Sequence, residues 1–206
     1  MKTNALDNIN FLLQNIDTLA ASIQPFWHPL GFVSCVIRDN PGSVTLRVHY
    51  WPPNERRTKN PDWPVHTHSY ALSSLVLHGN IEDIQCELID GKDFSIYKVT
   101  YFNGDPEITR TDMKTRISKH TSKMRIAGEQ YFVERGVFHQ SVVKLSESAV
   151  TFVVLSESSC EAPLVLGGNG DDTYPYDRTP FSPEIFWSAV RHAISNPTIQ
   201  NLAKNA

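Results

Sequence analysis

The chain lacks a paired set of cysteines. Its three cysteines, Cys35, Cys86 and Cys160, are odd in number, lie far apart and form no CxxC motif. This usage gives no support to a disulfide framework and favours a cytoplasmic protein. Because Cys35 and Cys86 fall in apolar, strand-like segments, we expect both to be buried free thiols.

Long apolar runs and an excess of positive charge are also missing. No run is long enough to span a bilayer, and the first residues carry asparagine and aspartate where a signal peptide would be apolar. The net charge is −3, and no lysine- or arginine-rich block stands out against it. We therefore expect a small-molecule substrate as the partner, with neither nucleic acid nor a membrane; a homodimer is left open.

Two common catalytic motifs are absent as well. The stretch LGGNGDD lacks the lysine and the strand-to-helix setting of a phosphate-binding loop, and no serine nucleophile elbow is present. A chain of 206 residues can bury one core without covalent staples, so we predict a single domain over residues 1–206.

Helices are predicted at both ends of the chain. Residues 4–24 carry apolar side chains at three- and four-residue steps, which is typical of an amphipathic helix, and Pro25 ends the pattern. A second helix is predicted over residues 182–204, where Ser182 and Pro183 form a helix start signal.

Between the helices the hydrophobic period changes to two. Roughly eight or nine short strands, separated by turn sequences, fill residues 31–157, with no helical segment among them. This pattern predicts an antiparallel sandwich or barrel. The proline-rich residues 52–64 are predicted to form a surface loop, and the polar, glycine-rich residues 160–180 a linker across the surface.

His66 and His68 stand one residue apart at the head of an apolar run. In a strand, residues i and i+2 face the same way, so the two imidazoles project to one side and can share a metal ion. A third ligand has to come from elsewhere in the chain. The best candidate is His139, in the stretch GEQYFVERGVFHQSVV.

These stretches resemble the two motifs of the cupin superfamily. HTHSYALSSLVLHG is similar to the first motif, in which His-x-His is followed by a glutamate and, six residues later, by a glycine. GEQYFVERGVFH is similar to the second, Gly-x5-Pro-x-Gly-x2-His. Gly79, Gly128, Gly136 and the three histidines fall in register. Over residues from about 40 to 157, the resemblance implies an all-β cupin core, a double-stranded β-helix (jelly-roll) barrel with a metal at its mouth; the N-terminal and C-terminal α-helices lie outside it.

Two positions depart from the motifs. Leu72 stands where the usual glutamate ligand would be, and Glu134 replaces the usual proline. Leu72 shares its parity with His66 and His68, so we expect it to face the same cavity and contact substrate, although it cannot bind a metal. Glu134 is interpreted as a detail of strand entry without a chemical role.

A set of three histidines without a carboxylate looks like the cupin subset that includes cysteine dioxygenase-type thiol dioxygenases and some dioxygenases of diketones and aromatic acids. The resemblance implies a mononuclear non-haem iron dioxygenase, in which a small anionic metabolite binds the metal before dioxygen is activated. Three neutral imidazoles leave the full charge of a divalent ion uncompensated, which favours a thiolate, carboxylate or enolate. Fe(II) is the expected cofactor, with Ni, Mn, Zn and Cu as alternatives.

Arg47 and Tyr70 are the predicted catalytic side chains. Arg47 shares one face of a strand with His49 and is expected to bind a substrate carboxylate through two parallel hydrogen bonds; the alternative is an arginine that faces solvent. Tyr70 has the parity of the ligand histidines and is expected to donate a hydrogen bond to oxygen or substrate; the alternative is a barrel wall residue. His28 is interpreted as structural and Tyr131 as a packing residue.

Other functions stay open. The metal can instead act only as a Lewis acid in a redox-neutral isomerase, lyase or hydrolase, or the protein can bind a small molecule without turnover. No helix-turn-helix accompanies the predicted barrel, which disfavours a regulator. Ser156 or Glu157 stands about where thiol dioxygenases carry a catalytic tyrosine, which argues against a cysteine-type substrate.

Overall fold

The computed structural model describes residues 4–39, 44–102, 105–168, 170–175 and 178–205. The amino-terminal segment forms a short 3-10 turn (Leu6–Asn8) and helix α1 (Ile9–Ser22), where one helix over 4–24 is predicted. Two helices, α2 (Pro183–Ile194) and α3 (Pro197–Lys204), follow the last strand. The described strands are β1 (Phe26–Trp27), β2 (Val33–Asp39), β3 (Thr45–Trp51), β4 (Ala71–His78), β5 (Asn80–Phe102), β6 (Asp105–Ile126), β7 (Gln130–Val133), β8 (Phe138–Val142), β9 (Ala149–Ser156), β10 (Leu164–Gly167) and β11 (Thr173–Pro175).

The strands form two antiparallel sheets that make a jelly-roll-like sandwich. One sheet has the order β1-β2-β3-β9-β4-β7, and the other has the order β10-β5-β6-β11, with β8 paired to β5. The prediction of an all-β jelly-roll core with helices at both ends is confirmed. That the whole chain is one domain stays a prediction. Among the described helices, none is long and apolar enough to cross a bilayer.

One face of the six-stranded sheet packs against the helices, and the other faces the inside of the sandwich. Strand β3 contributes residues to both faces. Leu46 and Val48 join the core that α1 and α2 cover, where Phe186 is fully buried. Arg47 and His49, which alternate with them, line the inside of the sandwich. Because successive side chains of a strand point to opposite faces, one strand supplies both a hydrophobic core and polar groups for a cavity.

The carboxy-terminal segment forms two helices, whereas one helix over residues 182–204 is predicted. Helix α2 ends at Ile194, and α3 begins at Pro197, which has no backbone N–H and cannot continue the first helix. Asn196 caps the second helix by accepting a hydrogen bond from the Thr198 backbone at 3.0 Å. The start signal at residue 182 is confirmed, since that serine accepts a hydrogen bond from the third residue after it at 3.4 Å.

Strands β5 and β6 form one long hairpin, although the sequence predicts shorter strands with a turn at DGKD. Strand β5 continues through that stretch, with a shift in pairing register between Asp90 and Phe94. Such an irregularity bends a strand without ending it. Before the shift β5 pairs with β8, and after it β5 pairs with β10. Strand β5 therefore pairs with both β8 and β10, the two strands whose residues form bridges with His66.

The prediction of a linker over residues 160–180 is wrong for residues 164–167 and 173–175, which form strands. Strand β10 pairs with β5, and β11 pairs with β6, so the second sheet extends past residue 157, where the β core is predicted to end. Both strands are short and lie at the edges of the sheet, so neither carries a long hydrophobic alternation. The turn predicted at NPGS, residues 40–43, lies outside the described residues.

Glycine is required at Gly79 for two reasons. Its φ is +75°, and a Cβ there would meet the backbone oxygen of Ser148 at 2.1 Å. Gly136 has a similar φ of +76°, but a Cβ at that position would meet no other atom within 4 Å. Alanine variants at Gly79 and Gly136 therefore share the cost of a positive φ, and only the variant at Gly79 adds a clash with Ser148.

We predict that Gly79→Ala lowers the free energy of unfolding by more than Gly136→Ala does. The strain of a left-handed alanine costs about 1–2 kcal/mol in both variants, and the clash adds about 1–3 kcal/mol at position 79 alone. Urea unfolding followed by circular dichroism measures the difference. Equal losses in the two variants would contradict the close contact with Ser148.

Candidate metal centre

The three predicted ligands are brought together by backbone pairing. His66 donates its N–H to the carbonyl of His139 at 3.0 Å and accepts from the N–H of His139 at 2.9 Å. On its other side, His66 forms an antiparallel bridge with Val165 of β10. The His-x-His segment therefore lies between β8 and β10. Pairing on both sides fixes where the side chain of His66 points.

The three imidazole rings converge as the motif spacing predicts. Ring centroids lie 4.6 Å apart for His66 and His68, 4.6 Å for His66 and His139, and 5.0 Å for His68 and His139. One nitrogen from each ring lies within 4.8 Å of the other two. This is a three-histidine group of the kind that binds a divalent metal ion.

The protonation pattern of the group fits metal binding. His66 Nδ1 lies 2.8 Å from the carbonyl oxygen of Pro64, so the proton belongs on Nδ1 and Nε2 keeps its lone pair. That Nε2 is 3.2 Å from Nε2 of His68, and two nitrogens that each bind one ion at about 2.0–2.1 Å lie about that far apart. Both ring nitrogens of His139 are buried without a hydrogen-bond partner among the described residues. Buried polar atoms without partners are rare, and a metal ion shared with His66 and His68 would satisfy one of these two nitrogens.

Burial keeps all three imidazoles neutral. It lowers the pKa of His66, an effect that the hydrogen bond to Pro64 partly opposes. Burial, followed by the neighbouring His66 and His139, holds the pKa of His68 well below its usual range. The pKa of His139 is lowered well below its usual range, mainly by burial and then by His66. Neutral imidazole is the form that binds a metal.

The three-histidine group lies where two cavities meet. An outer cavity of about 390 Å³ opens to the surface, and an inner one of about 60 Å³ lies deeper in the sandwich. His139 lines only the inner cavity. The residues that line both cavities are His28, Leu30, Arg47, His66, His68 and Tyr70.

The other predicted site residues also face these cavities. Arg47 lines both, and its Nε is buried with no hydrogen-bond partner among the described residues. Its guanidinium carbon lies 5.9 Å from the centre of the Tyr70 ring, which stacks on His68 at 4.7 Å. Leu72 is 7% exposed and lines the inner cavity. Their chemical roles stay predictions.

His28 and Tyr131 have a larger part in the site than their sequence context indicates. The ring of His28 stacks on Phe32 at 4.4 Å and lines both cavities, and its Nδ1 accepts the backbone N–H of Leu30 at 3.3 Å. Tyr131 packs in the core as predicted and also lines the inner cavity, with its hydroxyl 3.5 Å from Ser141. No local pattern could have found them, because both lie outside the residues that the two motifs assign to the metal.

The charge of the cavity walls has one sign. Among the described residues that line either cavity there is no aspartate or glutamate, whereas Arg47, Lys59 and Arg178 line the outer one. A ligand that enters these cavities therefore meets positive charge without a competing carboxylate.

The fold and the site define a jelly-roll protein with a three-histidine candidate metal centre at the junction of two cavities. No protein-family model matches the chain, and no curated protein matches it. Similarity is found to solved structures. The polyketide cyclase RemF from Streptomyces resistomycificus is 16% identical, with 89% of this chain and 94% of that one covered, at a TM-score of 0.43.

Two further solved structures are similar to parts of the chain. An oxalate decarboxylase variant from Bacillus subtilis is 12% identical, with 84% of this chain and 37% of that one covered, at a TM-score of 0.38. A chain described with the DMSP lyases RdDddP and RnDddQII is 13% identical at a TM-score of 0.35; 71% of this chain matches about half, 53%, of that one. At these scores the likenesses carry no argument about activity.

We predict that His49 makes the folded protein less stable in acid. Burial, and next the charge of Arg47, lower the pKa of His49 from 6.5 to about 3. Between these values the unfolded chain binds a proton that the folded protein does not, so the free energy of unfolding falls as the pH drops below 6.5, by at most about 1.4 kcal/mol per pH unit for this group. In His49→Gln the decline should be shallower. Urea unfolding at pH 7.5, 6, 5 and 4 tests this, and parallel curves would contradict a neutral, buried His49.

Proposed function

We propose that the protein is a metal-dependent enzyme of the cupin type that acts on a small anionic molecule, and that its reaction is a mononuclear non-haem iron dioxygenation. One observation carries the proposal. Three neutral imidazoles converge, with no carboxylate ligand, at cavities whose described walls hold cations and no acidic residue. The substrate and dioxygen are the proposed partners.

His66, His68 and His139 are the residues that would hold the ion. Fe(II) is the proposed metal, and Ni, Mn, Zn and Cu also bind imidazole. A bound Fe(II) ion would supply a Lewis-acidic position for an anionic substrate and the redox chemistry that dioxygen requires. The bridge between the backbones of His66 and His139 supports this proposal, because it orients two of the ligands before any metal binds.

Arg47 would bind and orient the substrate anion. Its guanidinium lies near the Tyr70 ring, and its buried Nε has no described hydrogen-bond partner. An unpaired buried donor is costly, and a carboxylate that accepts two parallel hydrogen bonds would satisfy it. The restricted environment also strengthens the attraction, because screening by water is weak there.

Leu72 would keep a position beside the ligands free of protein charge. It pairs across the sheet with Val133 and Leu155 and forms part of the inner wall. A glutamate there would cancel one unit of the metal's charge, whereas leucine leaves that charge available to substrate. Its apolar side chain would also leave water without a hydrogen-bond partner on that part of the inner wall.

A second candidate function is a redox-neutral isomerisation, elimination or hydrolysis. It is favoured by His28 and His49, two further imidazoles that line the inner cavity. His49 Nε2 is buried without a described hydrogen-bond partner, so a polar group of a bound molecule could form a hydrogen bond with it and be oriented beside the metal. In that reaction the metal would serve only as a Lewis acid.

We predict that removal of any ligand histidine lowers the bound metal. His66→Ala, His68→Ala and His139→Ala should each lose most of the ion that the unaltered protein retains, because two remaining imidazoles rarely form a complete site. Elemental analysis after desalting measures the content. His78→Ala is the matched control, since His78 lies at the end of β4, 3.3 Å from the Ser148 hydroxyl and outside both cavities. Full metal content in all three ligand variants would refute the site.

We predict that the anaerobic Fe(II) protein consumes dioxygen only after a small anion is added. Cysteine, acetylacetone and 2,5-dihydroxybenzoate serve as thiolate, enolate and carboxylate probes, and an oxygen electrode records uptake. The Zn(II) protein is the control and should consume none. Product formation that proceeds equally under nitrogen, or with zinc, would contradict the dioxygenase proposal and favour the redox-neutral reaction.

A further inference from the structure

We propose that the ligand of the outer cavity is an elongated dianion with an apolar, planar body, and that Lys59 and Arg178 bind its second anionic group. This inference rests on the proposed function, which assigns the first anionic group to the three-histidine centre beside Arg47. It adds a substrate class and two specificity-determining residues that neither motif contains.

The outer cavity has room for more than the group that reaches the metal centre. Its volume of about 390 Å³ lies in the range of about 300–1,000 Å³ that is usual for sites of small organic ligands. Arg47 lines both cavities and therefore lies at their junction, whereas Lys59 and Arg178 line the outer cavity alone. The outer cavity thus has one cation at the junction and two more on the part of its wall that it does not share with the inner cavity.

Lys59 is held in position and is only partly satisfied. Its backbone N–H donates to the carbonyl of Pro29 at 2.7 Å, and its ammonium group donates to the carbonyl of Tyr174 and lies 5.7 Å from the centre of that ring. An ammonium group has three donors, and this is the single hydrogen bond that it makes with a described residue. Within the described part of the chain, two of its donors have no partner and can bind a molecule in the cavity.

Among the described residues, none forms an ion pair with Lys59. Burial lowers the pKa of Lys59 to about 8, and the carboxylate of Glu107 opposes that shift without overcoming it. Glu107 does not line the cavity, and no ion pair joins it to Lys59 among the described residues. A ligand anion would supply the missing charge and stabilise the ammonium form.

Arg178 brings a second cation to the same cavity. It is exposed, and the backbone beside it is anchored where Trp27 donates to the carbonyl of Thr179 at 2.9 Å. Its charge is the last of several causes that lower the pKa of His28, after burial and the nearer charges, which places Arg178 within electrostatic reach of the cavity. A guanidinium binds a carboxylate through two parallel hydrogen bonds, and this geometry suits the end of a rigid ligand.

Much of the remaining described lining of the outer cavity is apolar, and part of it is aromatic. The Trp63 ring is fixed by packing against Tyr97 at 4.6 Å and against Tyr174 at 5.1 Å. Other apolar residues of the same wall are Pro61, Val99, Ile108, Pro163 and Val165. Such walls bind an apolar body that connects two charged ends, and rigid tryptophan and proline surfaces favour a flat one.

Matched pairs of ligands that differ by one carboxylate test the proposal. The probes are benzoate against terephthalate, and biphenyl-4-carboxylate against biphenyl-4,4′-dicarboxylate, titrated calorimetrically into the Zn(II) protein and into the metal-free protein. In at least one pair the dianion should bind the Zn(II) protein tenfold or more tightly than the monoanion. In Lys59→Met and Arg178→Gln this preference should fall severalfold, with little change for the monoanion.

Two controls make the result specific. Lys123→Met removes an exposed lysine of β6 that lines neither cavity, and it should keep the full preference. Arg47→Gln should weaken the binding of the monoanion and of the dianion by the same factor, because Arg47 is proposed to bind the anionic group that both ligands carry. Circular dichroism shows whether each variant is folded. If Lys59→Met or Arg178→Gln does not fold, the other variant still tests the subsite.

The outcomes separate this inference from the proposed function. Equal binding within both pairs, a preference that survives in both Lys59→Met and Arg178→Gln, or no binding by any probe would overturn the second anion subsite. Monoanion binding that is equally tight with and without Zn(II) would instead count against an anion at the three-histidine centre. If the metal-free protein also binds the dianion more tightly than the monoanion, the second anion subsite is supported whether or not an anion binds at the three-histidine centre.

Discussion

The site depends on the pair of backbone hydrogen bonds that joins His66 to His139. These residues are far apart in the sequence, and the reciprocal hydrogen bonds place His66 directly opposite His139. In an antiparallel pair, directly opposite residues project their side chains to the same side, so the two imidazoles meet without any contact between the rings being required. A slip of one residue would turn one ring to the other face. The bridge to Val165 on the far side holds the same segment from β10.

This arrangement is possible because the six-stranded sheet obtains its hydrophobic stabilisation largely from its other face. The helices cover that face with a large core, in which Leu46, Val48 and Phe152 are fully buried. The inner face of the same strands can then carry Arg47 and His49, whose burial is unfavourable in itself. The terminal helices, which lie outside the two motifs, thereby support the polar interior.

Electrostatics and shape favour the same kind of ligand. The buried histidines are neutral, the described cavity walls contain no acidic residue, and Arg47 has an unpaired buried donor. Each of these features costs stability in the absence of a bound group, and a metal ion with an anionic ligand would relieve them together. Leu72 fits this account, because an acidic side chain at that position would remove the positive charge that the rest of the cavity preserves.

The sequence by itself determined an antiparallel β core, the helices near both ends and the placing of His66 and His68 on one face. These follow from local signals: the period of the apolar residues, helix start residues, and a His-x-His spacing that puts two rings on one face. The jelly-roll class and the addition of His139 to the pair were instead implied by the resemblance of two stretches to the cupin motifs. The break before Pro197 was also readable locally, since proline cannot continue a helix, but the apolar pattern on both sides concealed it.

Only the tertiary structure decided how the cavities are lined. Strand β10 carries too weak a pattern to be predicted, because it is short and is stabilised by pairing with β5 and with the His-x-His segment. His28, Lys59 and Arg178 come from loops in three separate parts of the chain. A local pattern reports which way a side chain points from its own element, whereas a cavity is made where distant elements meet, and their meeting is fixed by sheet register and core packing.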